Sequence, residues 1–253
     1  MPDVKRLEEM SWFQVQEALN SGIDTVVAAA GSMEQHGPHM PMITDTLLGT
    51  AVAEGVAARM GNVLRGPTIP FGVSEHHMAF KGTITLDKET FKTVVKQYVH
   101  SLAHHGFKTI VIIPSHGGNF GPLKELEDET KGEINGARYL PYTDLWEFVA
   151  VMNKVAEPDG ISPEVSGAHA GEAETSMVLA ERPEIVDMTR AEPGFVEQMT
   201  EDHARKLFEE GMTALTDNGI LGDARPADAA RGRRYIDTMA DFLSGWFLER
   251  LPK

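Results

Sequence analysis

The sequence predicts an α/β fold with a mostly parallel central sheet, because apolar runs typical of buried strands alternate with helical patterns along the chain. Residues 24–30 and Thr109–Pro114 form two such runs, in which small or β-branched apolar residues follow one another. Residues 87–105 carry apolar side chains every three or four positions, which is the spacing of a helix with one buried stripe. The order strand, helix, strand is typical of parallel strands joined by a crossover helix.

The other predicted elements continue this alternation, and most end at glycine or proline, which favour helix ends and turns. In the N-terminal half they are a helix from Ser11 to Gly22, strand 24–30, helix 46–60, extended pieces 62–64 and 68–71, and helix 87–105. In the C-terminal half they are strand Thr109–Pro114, helix 121–133, strand 137–140, helix 143–155, loop 156–167, a helix that ends near Glu181, and two final helices.

Length and composition favour a single soluble domain over residues 1–253. A chain of 253 residues accommodates one large domain or two small ones, and no linker-like segment divides it. The hydrophobic share of 42% and the charged share of 24% are ordinary for a globular protein.

The charge and the residue types absent from the chain exclude several classes of function. With 38 acidic and 23 basic residues, the formal charge of -15 argues against nucleic-acid or anionic-membrane partners. There are no cysteines, so disulfides, thiolate metal sites and thiol nucleophiles are excluded. No run of about 18 apolar residues occurs, and residues 1–6 lack the apolar core of a secretion signal. Cytoplasmic residence is therefore expected.

The loop after strand 24–30 concentrates side chains that bind metals. It contains Glu34, His36, His39 and Asp45. Gly37 and Pro38 interrupt the loop, so these side chains do not line the face of a regular helix. Carboxylates and imidazoles suit Zn, Mn or Fe, and ligands in α/β proteins bind beyond the carboxyl ends of the strands. The loop is therefore the first candidate for a functional site.

Three further polar clusters lie at predicted strand ends or helix starts. They are Ser74, Glu75, His76 and His77; His116 with Gly117, Gly118 and Asn119; and His169, Glu172 and Glu174. Parallel strands place their carboxyl ends at one edge of a sheet, so at least the first loop and the His116 cluster should meet. Carboxylates and imidazoles gathered in one partly buried pocket are costly without a cation, and one or two divalent metals remove that cost.

Each cluster also has a structural interpretation that needs no ligand. His116 is equally consistent with the cap of a Gly-Gly-Asn turn, residues 74–77 with a surface loop, and Glu174 with a solvated helix position. His169 and Glu174 are five positions apart, so His169 must precede the helix if both side chains point inward. The occurrence of four such clusters at element ends favours a shared site.

The motif at residues 31–41, followed by Thr44 and Asp45, resembles the signature of the creatininase (creatinine amidohydrolase) family. The likeness continues in the same order through residues 74–76, 80–83, 115–119, 169–176 and 222–223, and so covers nearly the whole chain. The resemblance implies a three-layer α/β/α sandwich, a binuclear metal centre and, in many members, a homohexamer.

The resemblance also assigns metal ligands. One ion would be held by Glu34, Asp45 and His116. The other would be held by His36, Asp45 and Glu174, so that Asp45 bridges two divalent ions. Zinc is the expected metal, with manganese or iron as alternatives that the same ligands accept.

Catalytic and substrate-binding residues follow from the same resemblance. His169 matches the family histidine proposed to move protons to the leaving group. The expected catalytic residues are His169 and Glu172. The expected substrate contacts are Ser74, His76, Gly117, Gly118 and Asn119. Backbone N–H groups at the glycine turn would stabilise an oxyanion.

Two departures from the creatininases proper argue against creatinine as the substrate. Those enzymes carry a tyrosine and a glutamate where this chain has Gly117 and Gly118. They also carry a tryptophan shortly before the last histidine motif, whereas the tryptophans here are Trp12, Trp146 and Trp246. The Gly-Gly-Asn form is similar to the wider family, which includes formamide-cleaving enzymes, a peptidase that matures mycofactocin and hydrolases of keto-inositols.

The sequence therefore predicts a metal-dependent hydrolase in which activated water cleaves an amide or cyclic amide C–N bond of a small polar metabolite. Three alternatives stay open: opening of a cyclic ketone by C–C cleavage, a creatininase-like peptidase, and a metabolite-binding protein that retains the fold. The last is disfavoured, because Glu34, Asp45 and His116 are all present.

Overall fold

The computed structural model describes residues 4–251, and within that range five strands form one sheet. The strands are β1 (Thr25–Ala30), β2 (Leu64–Arg65), β3 (Thr109–Pro114), β4 (Glu133–Ile134) and β5 (Ala137–Pro141). Their order is β2-β1-β3-β5-β4, and all neighbours are parallel except β4 and β5. In the central pair, Thr25 lies opposite Thr109 and Ala30 opposite Pro114, so β1 and β3 end at the same edge.

Helices cover both faces of the sheet. They are α1 (Trp12–Asn20), α2 (Thr44–Met60), α3 (Lys88–His104), α4 (Gly117–Thr130), α5 (Leu145–Ala156), α6 (Pro163–Ser166), α7 (Glu172–Glu181), α8 (Glu201–Glu210) and α9 (Ala229–Leu248). Short 3-10 helices occupy Leu7–Glu9, Glu75–His77, Glu157–Asp159, Pro183–Ile185, Met188–Arg190 and Met212–Ala214. No helix within the described range is long and apolar enough to cross a bilayer.

Side chains of alternate strand residues pack into two separate hydrophobic cores, one on each face of the sheet. Val27 and Val111 face a core that α2, α7 and α9 close, while Val26 and Ile110 face a core that α3 and α4 close. This pattern is expected for a sheet buried on both faces, since successive side chains point to opposite sides. The predicted three-layer α/β/α fold with a mostly parallel sheet is confirmed.

Most predicted elements agree with the structure to within one or two residues. The exceptions are helix 121–133, which runs from Gly117 to Thr130, the extended piece 68–71, in which only Ile69 forms a bridge, and loop 156–167, which contains α6. Ser11 caps α1 through a reciprocal capping box with Gln14, and Asp87 caps α3 by accepting the Thr90 N–H. Helix α4 begins at Gly117, one turn earlier than predicted, because tertiary contacts outweigh the low helix propensity of glycine.

The hairpin formed by β4 and β5 is an element that the sequence analysis missed. Asn135 and Gly136 both have positive φ, at 53° and 79°, and join the two strands. Asn-Gly between apolar residues is a strong signal for a two-residue hairpin turn. The turn therefore could have been predicted.

Candidate metal centre

The first functional side chains come from the loop between β1 and α2. Glu34 and His36 are completely buried within this loop, and Asp45 lies in the first turn of α2. The N-terminus of a helix stabilises a carboxylate, because the free N–H groups and the helix dipole are positive there. Strand β3 ends at the same edge and delivers His116, which is the N-cap residue of α4.

Three overlapping groups of donor atoms lie at this edge of the sheet. Within each group the donor atoms are within 4.8 Å of one another. The groups are Glu34, His36 and His169; Glu34, Asp45 and His116; and His36, Asp45 and Glu174. The second and third coincide with the two ligand sets implied by the family resemblance. The structure thus brings together all five side chains expected to bind metal, and adds His169 beside them.

The distances within the cluster are short enough for shared ligands. Nε2 of His36 is 3.3 Å from Oδ1 of Asp45 and 3.7 Å from Oε2 of Glu174. Nδ1 of His116 is 3.2 Å from Oε1 of Glu34 and 3.5 Å from Oδ2 of Asp45. Asp45 therefore contacts both histidines through different oxygens, as a bridging carboxylate would.

Unpaired polar atoms indicate that the cluster fits a cation. Oε1 of Glu34, Nε2 of His36 and Oδ2 of Asp45 are buried and make no aligned hydrogen bond with any described residue. A buried polar atom without a partner costs roughly 1–3 kcal/mol, and more if it is charged. Two divalent ions, one in the group of Glu34, Asp45 and His116 and one in the group of His36, Asp45 and Glu174, would together satisfy all three atoms, and the N and O donors suit zinc or manganese.

Burial and close charges shift the pKa values of several side chains in the cluster away from their usual ranges. Burial raises the pKa of Glu174 to about 7. Burial opposes the charged form of His36, but Asp45 and Glu174 outweigh it and raise the pKa of His36 to about 10. Burial likewise opposes ionisation of Glu34, but His116 and His77 hold its pKa well below the usual range. Protons thus balance the charges that a cation would otherwise balance.

Backbone contacts fix the orientation of the His116 ring. Its Nε2 lies 3.0 Å from the carbonyl oxygen of Val73 and donates a hydrogen bond to it, which leaves Nδ1 free toward Glu34 and Asp45. A second hydrogen bond of this kind is usual for metal-binding histidines. The close approach depends on Gly118, where an added Cβ would lie 2.1 Å from that carbonyl and 2.5 Å from Nε2 of His116.

Gly118→Ala is therefore expected to displace His116 and to lower metal occupancy and stability. Gly117→Ala is the matched control, because an added Cβ there meets no atom within 4 Å. The cost of the first change is expected at about 1–3 kcal/mol, typical of overpacking. Metal content and urea unfolding of both variants check this; equal behaviour would show that the contact with Val73 does not constrain the ring.

His169 reaches the cluster because it precedes its helix. Ala170 has a left-handed conformation, φ 53°, and its N–H donates to Oε2 of Glu174 at 2.6 Å. Nε2 of His169 lies 2.7 Å from the carbonyl oxygen of Gln35, so the proton must be on Nε2. Nδ1 then carries the free lone pair and lies 3.6 Å from Oε1 of Glu34. The five-residue spacing is thus compatible with both side chains pointing inward.

Glu172 does not join the cluster, contrary to the prediction of a catalytic role. Its carboxylate is fully buried and accepts hydrogen bonds from Ser176 at 2.6 Å, from Tyr235 at 2.7 Å and from the Arg231 guanidinium. The reason is helix geometry, because residues two apart on a helix point in nearly opposite directions. Glu174 faces the cluster, and Glu172 faces α9.

Asn119 and His39 also serve the framework rather than the cluster. The Asn119 amide donates to the carbonyls of Ala30 and Gly31 at 3.0 Å each, and its oxygen accepts the Val73 N–H at 3.1 Å. The predicted substrate contact through the Asn119 side chain is therefore not supported. His39 lies 2.8 Å from the hydroxyl of Thr175 and belongs to none of the three donor groups.

The remaining predicted substrate contacts border the cluster. Ser74 is buried, in hydrogen-bond contact with Ser32, and its hydroxyl is 3.5 Å from Nε2 of His116. The ring of His76 stacks against that of His116, with centroids 5.5 Å apart. Their contacts with substrate, and those of Gly117 and Gly118, stay predictions.

No specific role at the site was predicted for His77, Ser32 or Gln35, although His77 belongs to one of the polar clusters singled out in the sequence. Nε2 of His77 is 3.2 Å from Oε1 of Glu34, and the Ser32 hydroxyl donates to Oε2 of Glu34 at 3.1 Å. His77 belongs to the Ser-Glu-His-His cluster, so that motif was a usable signal. Ser32 lies only two positions before Glu34, within the motif at residues 31–41, whereas the Gln35 amide nitrogen contacts residues that are distant in the sequence.

A cavity of about 280 Å³ lies beside the segment that precedes His169. Gly167 and Ala168 form part of its wall, and Trp146 and Phe195 supply aromatic surface. The Trp146 side chain is 56% exposed, so its indole is available to a ligand. The residues that line the cavity include no member of the three donor groups, so its relation to the cluster is through the chain segment that leads to His169.

Comparison with known proteins identifies sequence relatives over most of the chain. The family model for creatininase, described as creatinine amidohydrolase, matches residues 8–246. A mycofactocin precursor peptide peptidase of Mycobacterium tuberculosis (strain H37Rv) is 32% identical over 232 residues, 88% of this chain and 84% of the relative. Creatinine amidohydrolase of Pseudomonas putida is 30% identical over 265 residues, 96% of each chain. A 3-dehydro-scyllo-inosose hydrolase of Thermotoga maritima is 26% identical, over 97% of this chain and 84% of the relative.

Solved structures agree with the sequence relatives. A manganese form of creatininase superposes with a TM-score of 0.79 at 25% identity, covering 99% of this chain and 100% of the other. A mutant creatininase of Zn-Zn type superposes with a TM-score of 0.78 at the same identity and coverage. The similarity therefore extends over nearly the whole fold, including the edge of the sheet that carries the cluster.

Proposed function

The chain belongs to the creatininase family of hydrolases, and we propose that it uses two divalent metal ions to cleave an amide or cyclic amide C–N bond of a small polar metabolite. The observation that carries this proposal is the pair of donor groups that share Asp45. A bridging carboxylate between two adjacent ions is typical of two-metal hydrolytic sites.

Each proposed ion has three protein ligands. The first ion would be held by Glu34, Asp45 and His116. The second would be held by His36, Asp45 and Glu174. When bound, such ions polarise a carbonyl oxygen and activate water for attack. Zinc and manganese both suit these donors, and the related creatininase structures include a Zn-Zn form and a manganese form.

We propose that His169 moves the proton during C–N cleavage. Its free Nδ1 faces the cluster, and the Gln35 carbonyl holds the opposite nitrogen in its protonated form. Nδ1 would accept a proton from the attacking water and deliver it to the departing nitrogen, which leaves as an amine. The N–H groups of Gly117 and Gly118, at the N-terminus of α4, are proposed to stabilise the negative charge on the carbonyl oxygen.

A peptide amide is the second candidate substrate class. The 32% identical relative is named a peptidase, and the cavity that Ala168 and Trp146 line is proposed to accept a side chain of such a substrate. The inosose hydrolase supports the third candidate, opening of a cyclic ketone by C–C cleavage. Product analysis separates these reactions, because only cleavage of a C–N bond releases an amine.

Removal of the metal is expected to abolish hydrolysis, and added zinc or manganese is expected to restore it. The test is a panel of lactams, formamides and short peptides, assayed before chelation, after chelation and after reconstitution, with metal content measured at each step. Two ions per chain are expected in the active protein. At metal concentrations 100-fold above Kd, each independently bound ion should stabilise the fold by about 2.7 kcal/mol. Full activity without metal would refute the proposal.

The family membership also supports proposals for domain organisation and assembly. We propose that residues 1–253 form one hydrolase domain and that the chain assembles as a homohexamer. Sedimentation equilibrium tests the assembly, and limited proteolysis tests the domain organisation, since two domains would yield two stable fragments.

A further inference from the structure

The side chain of Gln35 lies behind the proposed metal ligands and is only 5% exposed. Its Oε1 accepts the backbone N–H of Gly37 at 2.8 Å, and its Nε2 donates to the carbonyl oxygen of Gly219 at 3.2 Å. If the amide were flipped, its nitrogen would face the N–H of Gly37, a donor against a donor, and its oxygen would face the carbonyl oxygen of Gly219, an acceptor against an acceptor. The orientation of the amide is therefore set by the backbone.

This orientation determines the proton position on His77. The Gln35 Nε2 is 2.9 Å from Nδ1 of His77, and an amide nitrogen is only a donor. Nδ1 of His77 must accept this hydrogen bond, so the proton of the ring is on Nε2. That nitrogen is 3.2 Å from Oε1 of Glu34. The other tautomer would direct a lone pair at the carboxylate.

The N–H of His77 lies beside Oε1 of Glu34 without the alignment of a full hydrogen bond, because Oε1 has no aligned partner among the described residues. The positive end of the N–H therefore faces the negative charge of the carboxylate and attracts it, while a lone pair of Oε1 stays free. The other oxygen, Oε2, is held by Ser32 at 3.1 Å. His77 and Ser32 thus orient the two oxygens of the Glu34 carboxylate.

We propose that Gln35 and His77 are positioning residues, in which the Gln35 amide fixes the His77 tautomer and the His77 N–H holds Glu34 for the metal. This inference rests on the proposed metal centre. Neither residue is assigned contact with metal or substrate. Outer partners of this kind typically change metal affinity or activity by about 10–100-fold.

The tautomer is tested directly by nitrogen NMR of histidine-labelled protein, with and without zinc. In the native chain, Nδ1 of His77 is expected to show the shift of an unprotonated nitrogen. Gln35→Glu replaces the donor with an acceptor of nearly the same shape, so Nδ1 should become protonated. Gln16→Glu, the same change on α1, is the matched control and should leave the His77 signals unchanged. A protonated Nδ1 in the native protein would overturn the proposal.

Metal affinity supplies a second measurement that does not depend on turnover. His77→Leu should weaken zinc binding by about 10–100-fold, whereas His77→Gln should recover most of the loss, because its amide places a donor near the Nε2 position. Equal affinities of the native and His77→Leu proteins would contradict the positioning role. Failure of the proposed metal centre would appear differently, as absence of zinc binding by the native protein.

Discussion

Asp45→Asn is expected to remove hydrolytic activity almost completely, with a loss in kcat/KM of at least about 10³-fold. Outer partners of a metal cost about 10–100-fold, and a carboxylate shared by two ions should exceed that range. Asp45 belongs to two of the three donor groups and contacts both His36 and His116. Asparagine keeps the shape but removes the charge and one of the two acceptor oxygens. Metal content should fall below two ions per chain.

The matched control is Asp217→Asn, which removes the same charge at an exposed position. It should retain the native metal content and activity, since surface substitutions rarely change stability by more than about 0.5 kcal/mol. Circular dichroism of both variants establishes that the fold is intact. Native metal content and turnover in Asp45→Asn would show that the ions are bound elsewhere, and would remove the bridging role from Asp45.

The fold was predictable because its strongest signals are local. β1 and β3 read as continuous apolar runs, and α3 carries a helical stripe between them. These three elements fix the order of a βαβ unit and place both strand ends at one edge. The start of α4 was not predictable in this way, because a helix that opens with two glycines depends on tertiary contacts such as those of Asn119.

Some residues of the site are indicated by sequence motifs, whereas others are found only from their contacts in the three-dimensional structure. Glu34, His36 and Asp45 are residues of types that bind metals, and they lie within 12 positions of one another in the sequence. The family resemblance adds His116 and Glu174. The contacts of Gln35 span up to 184 positions in the sequence, so no local pattern indicates them. The orientation of Glu172 away from the cluster was predictable, since positions 172 and 174 are separated by roughly 200° around a helix.

The orientation of Glu172 leads to a second large effect, on stability rather than on catalysis. Arg231 on α9 is almost fully buried, and its guanidinium contacts Glu172 on α7 and Asp159. Glu172→Ala would leave this cation without its buried partner. Breaking a buried pair in this way costs about 3–5 kcal/mol. For a chain of this length, that corresponds to a fall in Tm of roughly 6–20 °C.

The paired replacement Glu172→Leu with Arg231→Met separates the cost of an unpaired buried charge from the cost of lost packing. It removes both charges, so it should be clearly less destabilising than Glu172→Ala alone. Urea unfolding of the native, single and double variants measures the difference. Metal content in the folded fraction of Glu172→Ala should stay native, because its carboxylate points away from the cluster. If that variant instead keeps native stability and loses activity, Glu172 acts in catalysis, and the ion pair with Arg231 is not what holds α7 against α9.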